Sequence, residues 1–165
     1  MATTRKILNQ EQVNALLGKY ITEQTAAAKK AEDAYNREAD AAKAKEQQTL
    51  NADAAKAKTT AAKALDTQLV KELVGKRRLA EQLATWGLSR SGAAAAGKQA
   101  AARQRQVAER NIAATRDAAL AALKQKSEAL TKQTEAKKQK NTASSQKTLA
   151  NRIAEKRLSL SKMMY

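Results

Sequence analysis

The 165 residues have the length of one ordinary domain, but 39 are alanine, and proline, cysteine, histidine and phenylalanine are absent. Only 31 larger apolar side chains remain; at roughly 1.5–3 kcal/mol for each one fully buried, they cannot fill a globular core alone, though they can fill a narrow seam between helices. The net charge of +16 favours polyanionic partners, and the missing cysteine and histidine exclude disulfides, thiolate metal sites and the commonest general base.

Alanine, lysine, glutamine and glutamate dominate, as in long helices and coiled coils. Disorder is the competing reading of high charge with few large hydrophobes, and the absence of proline weighs against it. A short polar lead, residues 1–6, precedes apolar positions at Ile7, Leu8, Val13, Leu16, Leu17, Tyr20 and Ile21. From Val13 these recur at three- and four-residue steps, an amphipathic helical stripe. Asn9 and Gln12 have the spacing of a capping pair for that helix. Gly18, inside the stripe, costs about 1 kcal/mol relative to alanine unless another backbone approaches there.

Over residues 22–60 the stripe thins to alanine, with Tyr35 and Leu50 its large members and Ala28, Ala31, Ala39 and Ala42 holding the helical spacing. Opposite charges are not cleanly aligned there, so surface ion pairing explains little. Large side chains return at Leu65, Leu69, Leu73, Leu79, Leu83 and Trp86, with Val70 and Val74 beside them. These are expected to pack in the seam and anchor its turn end, Leu79, Leu83, Trp86, Gly87 and Gly92 being the turn and packing residues. Three of the five glycines and the only tryptophan fall within residues 86–97, near the midpoint of the pattern. Glycine ends helices by adopting left-handed backbone conformations. The expected architecture is therefore all-α: one helical-hairpin domain over residues 1–165, with helix 1 over about 10–86, a turn at 87–92 and helix 2 over about 93–163.

Ser89 or Ser91 can cap the second helix, and Gly97 in its first turns leaves that end loose or hinged. Ala101, Ala108, Ile112, Ala119, Leu123 and Leu130 continue its seam, flanked by Val107 and Leu120. Residues 124–147 carry seven lysines against Glu128 and Glu135. That stretch is either a solvated helix or the part that frays or binds an anion. Leu149, Ile153, Leu158, Leu160, Met163 and Met164 form an apolar tail expected to meet the N-terminal helix or a partner. Two helices of this size each span on the order of 110 Å, and antiparallel pairing brings residues 13–21 beside 149–160.

Residues 1–86 hold 15 basic and 11 acidic groups, net +4, and residues 87–165 hold 17 and 5, net +12. The second half is thus the candidate polyanion-binding arm. Lys126, Lys137 and Lys140 fall within about 60° of one another on an ideal helix. Arg103 and Arg110 share a face, with Arg105 and Arg116 nearly opposite. Phosphate neutralisation by such residues gives salt-sensitive, sequence-independent binding, while a soluble basic face is the plainer reading. A basic rod with Leu/Met-rich ends could also lie on anionic lipid. The carboxylates are scattered and few groups exist to desolvate them, so no enzymatic activity, cofactor or metal is expected. No apolar run near the N-terminus has signal-peptide length, and none approaches the ~20 residues of a membrane span.

The segment Leu83-Ala84-Thr85-Trp86-Gly87-Leu88-Ser89-Arg90-Ser91-Gly92 resembles the glycine-serine turn of small helical virion proteins of tailed bacteriophages. There it precedes a long alanine-, glutamine- and arginine-rich helix, as residues 99–123 do here. The resemblance covers roughly residues 80–130. It implies a multicopy structural or ejection protein, made in the host bacterial cytoplasm and housed in the virion near the portal–tail axis. Its implied partners are further copies of itself, portal or tail components and packaged DNA, with membrane contact during delivery. It carries no functional residues across.

Overall fold

A computed structural model describes residues 9–88 and 92–164, and these form an all-α helical hairpin: α1, Gln10–Thr85, followed by α2, Gly92–Ser161. Alanine and the straight-chain residues that fill both segments are the best helix formers, and no proline interrupts them. The start of α1 is a reciprocal capping box. Gln12 N–H donates to Asn9 Oδ1 at 2.8 Å, and Asn9 N–H donates to Gln12 Oε1 at 3.1 Å.

The end of α1 is closed by glycine. Gly87 has φ +68°, and its N–H donates to Ala84 O at 3.1 Å while Leu88 N–H donates to Leu83 O at 2.8 Å. These two bonds are the Schellman pair that satisfies the last carbonyls of a helix. Ser89, Arg90 and Ser91 lie outside the described residues, and the expected serine cap of α2 with them; so do Ile7, Leu8 and Tyr165. Gly92 opens α2 with open space around it, so no close contact requires glycine there. α2 ends at Ser161, two residues before the expected boundary. Its last turn tightens, with Met163 N–H on Leu160 O and Met164 N–H on Ser161 O.

The helices pack antiparallel in two compact units, one formed by residues up to Lys45 together with those from Ala129 on, the other by Glu46–Glu128. In the first unit Lys156 Nζ stands 5.5 Å from the centre of the Tyr20 ring, Arg152 reaches Gln24, Thr142 donates to Glu32 and Lys138 donates to Asp40. This places the 149–160 tail against the N-terminal helix through Leu149, Ile153 and Leu160, whereas Leu158 and Met163, expected to pack with them, fall off the seam and are exposed. Val13 and Leu160 are buried there, and so are Leu130 and Thr134. Thr134 tolerates burial because its hydroxyl donates to Leu130 O, one turn back in its own helix.

In the second unit Ser127 donates to Gln47, Arg105 pairs with Glu72, and Leu83 and Ala94 are buried toward the turn. A Cβ built on Gly97 would lie 2.8 Å from Leu79 Cδ2. Gly97 is therefore a seat for the Leu79 side chain. Gly18, the other candidate for a close approach, has open space around it.

In both helices the less exposed positions recur at steps averaging about 3.7 residues, closer to an eleven-residue repeat than to the heptad's 3.5. That period explains the main departure from expectation. Leu65, Leu69 and Leu73 are four residues apart, and each such step advances about 40° around the helix. The seam runs from Leu65 through Gln68 to Glu72, and the leucines drift off it. Leu69, Val70, Leu73 and Val74 are exposed rather than packed. Leu79 is half-buried and Leu83 buried, as expected for packing residues. Trp86 is 67 % exposed and does not anchor the turn: it follows the last residue of α1, beyond the buried Leu83 and Ala94.

Candidate functional site

Two surfaces offer themselves, a cationic outer face on α2 and an apolar strip on α1. Arg103 and Arg110 are exposed on the side of α2 turned away from α1, while Arg105 and Arg116 are half-buried on the side turned toward it. Seven residues is nearly two helical turns, so the first pair lie one above the other, as the spacing predicts. Lys126 is exposed within this same unit. Lys137 and Lys140 are exposed in the first unit, so the three lysines grouped by helical angle are divided between the two units. None of these five cations has an ion-pair partner among the described residues.

The cations facing α1 behave differently, because acids of α1 and of α2 itself pair with them. Arg105 donates to Glu109 at 2.6 Å and reaches Glu72 Oε2 at 3.5 Å, and Lys76 closes on Glu72 at 2.6 Å. Glu72 has one of the most covered acidic side chains, 7 % exposed. The hydrogen bond from Lys76, with the charges of Lys76 and Arg105, holds its carboxyl below the usual carboxylate range, although burial pushes the other way. The hydrogen bond that Arg105 donates to Glu109, with the charges of Glu109 and Glu72, raises the pKa of the Arg105 guanidinium. Lys138 is likewise committed to Asp40, and Arg116 to Asp117. Net positive charge therefore concentrates on the outward side of α2, because the inward cations are neutralised by Glu72 and Asp40 of α1 and by Glu109 and Asp117 of α2 itself.

The seam itself offers little chemistry. Ala57, Ala61, Ala64, Ile112 and Ala119 line an open apolar groove of about 380 Å³, left where alanine on both helices fails to fill the space between them. Among the described residues no group of three acidic side chains is placed to hold a metal ion, and no helix is long and apolar enough to cross a membrane. Hydropathy did not reveal the polar seam residues Gln24, Glu32, Asn36, Gln47 and Glu72. Their signal was the eleven-residue phase that they share with the alanines.

The fold is that of an all-α hairpin of the coiled-coil kind. Compared with protein-family models, curated proteins and solved structures, the chain matches none.

Proposed function

We propose that the chain is a noncatalytic structural protein that works as one of several copies, its outward apolar side chains covered by neighbouring subunits. The observation that carries this is the exposure of Leu73, Val74, Trp86 and Leu158, each 60 % exposed or more, in a chain with only 31 large apolar residues. Scattered exposed leucines are ordinary on a protein surface. Leaving outside the only tryptophan and several of the few large aliphatic side chains of an alanine-built hairpin is not. Sedimentation velocity of the purified chain tests the reading. Self-association that rises with concentration supports it, and a compact monomer at every concentration refutes it.

The virion setting, near the portal–tail axis of a tailed bacteriophage, rests on the resemblance of the turn at residues 83–92. Portal, tail or capsid genes beside the coding sequence support it. A neighbourhood of unrelated metabolic genes opposes it.

A second reading, sequence-nonspecific binding of DNA, is favoured by the exposed cations Arg103, Arg110, Lys126, Lys137 and Lys140, which have no ion-pair partner among the described residues. Counterion release then makes affinity for duplex DNA fall steeply with salt, by roughly the number of phosphates neutralised on a log–log scale. Affinity that stays flat from low to physiological salt removes this reading.

A further inference from the structure

Four of the ten large apolar side chains exposed among the described residues fall within six consecutive positions of α1. Leu69, Val70, Leu73 and Val74 are 41, 59, 66 and 62 % exposed, and they cover an arc of about 140° on one side of the helix. Their placement is costly to the isolated chain. Valine is a poorer helix former than the alanine that occupies outward positions elsewhere on α1, and here it gains no burial in return.

The charges around the strip say what covers it. Asp66 lies just before it and Arg77 just after it, eleven residues apart and therefore on nearly the same side of α1. Among the described residues Asp66 has no ion-pair partner. Arg77 holds only Glu81 at 3.0 Å, with both side chains largely in water (84 % and 65 % exposed), a pairing easily exchanged. A lipid or phosphate surface gains nothing from the unpaired aspartate. A second copy of the same helix gains from both charges.

We propose that α1 pairs with α1 of a second copy, antiparallel, about a twofold axis passing between Lys71 and Glu72. That axis sets Leu69 against Val74 of the second copy, Val70 against its Leu73, and Asp66 against its Arg77, each contact occurring twice. A parallel arrangement would stack Asp66 on Asp66 and Arg77 on Arg77, so the charges select the antiparallel one. An isologous contact of this kind closes on itself as a dimer. Four apolar side chains per copy make a small interface, of the weak and concentration-dependent class.

This inference rests on the multicopy reading above, and one set of measurements separates the two. Sedimentation equilibrium over a wide concentration range is compared for the unaltered chain, Val70→Gln/Leu73→Gln, Asp66→Lys, Arg77→Glu, and the double exchange Asp66→Lys/Arg77→Glu, with circular dichroism showing unchanged helix content. The expected result is a dimer whose dissociation constant rises at least about tenfold in Val70→Gln/Leu73→Gln. Each single charge reversal weakens it, and the double exchange restores it. Self-association that ignores all four variants overturns this interface while leaving the multicopy reading intact. Weakening by the charge reversals without rescue by the double exchange overturns the antiparallel register. A chain that stays monomeric throughout overturns both.

Discussion

Leucine-to-alanine replacement at positions 73 and 83 separates the observed seam from the one that leucine spacing alone suggests. Both residues sit in the same unit and the same helix, and both belong to the run of large side chains before the turn. Leu83 is 7 % exposed and Leu73 is 66 % exposed. Truncating a buried leucine costs about 2–5 kcal/mol in a full core. A seam two helices wide gives a leucine fewer neighbours, so Leu83→Ala is expected near the lower end, about 2 kcal/mol. Leu73→Ala removes little buried surface and substitutes a better helix former, leaving stability within about 0.5 kcal/mol of the original. Urea unfolding followed by far-ultraviolet circular dichroism, at a concentration low enough to keep the chain monomeric, reads both. Equal losses, or a larger loss at Leu73, would refute the placement of the seam.

The glycines divide by position. Gly18→Ala and Gly75→Ala, both in open helical surroundings, are expected to stabilise by up to about 1 kcal/mol each, whereas Gly87→Ala, at φ +68°, destabilises by about 1 kcal/mol; melting temperatures give the signs. The Asn36 Oδ1 atom is buried without a hydrogen-bond partner, so Asn36→Leu should stabilise by roughly 1 kcal/mol in the same urea assay, and a loss would show that the amide is satisfied after all. Glu72 has a depressed carboxyl pKa in the folded chain. Its pairing with Lys76 and Arg105 contributes stability above the ordinary carboxylate value, and that contribution is lost as pH falls through the depressed one. The stability difference between the unaltered chain and Glu72→Gln should therefore shrink on acidification, and a difference that stays constant with pH would contradict the pairing.

Much of the hairpin can be read directly from residue chemistry. Asn9 and Gln12 form the capping box that their spacing announces, and Gly87 closes α1 as only a residue at ease with positive φ does without strain. The α2 seam through Ala101, Ala108, Ile112, Ala119, Leu123 and Leu130 is present position by position. The lysine-rich stretch over 124–147 is continuous helix. The placement of Leu69, Val70, Leu73, Val74 and Trp86 was not legible, because hydropathy assigns every large apolar residue to the inside. Glu72 occupies the seam that Leu73 was expected to fill, and what admits it are Lys76 on its own helix and Arg105 across the seam. Such compensation depends on which residue stands opposite, and helical periodicity in a single strand of sequence holds no record of that. The same limit applied to Arg105 and Arg116: spacing set them opposite Arg103 and Arg110, while only the paired helices show which pair is turned to solvent.

Antiparallel pairing of α1 with α2 underlies every placement above, and the absence of cysteine allows it to be tested by two introduced thiols. Gln47 and Ser127 share a hydrogen bond of 2.7 Å across the seam. With Gln47→Cys and Ser127→Cys both labelled with pyrene, the hairpin predicts strong excimer emission that persists on dilution, because the two dyes belong to one chain. Emission from isolated pyrene alone, or an excimer that vanishes on dilution, would contradict the hairpin.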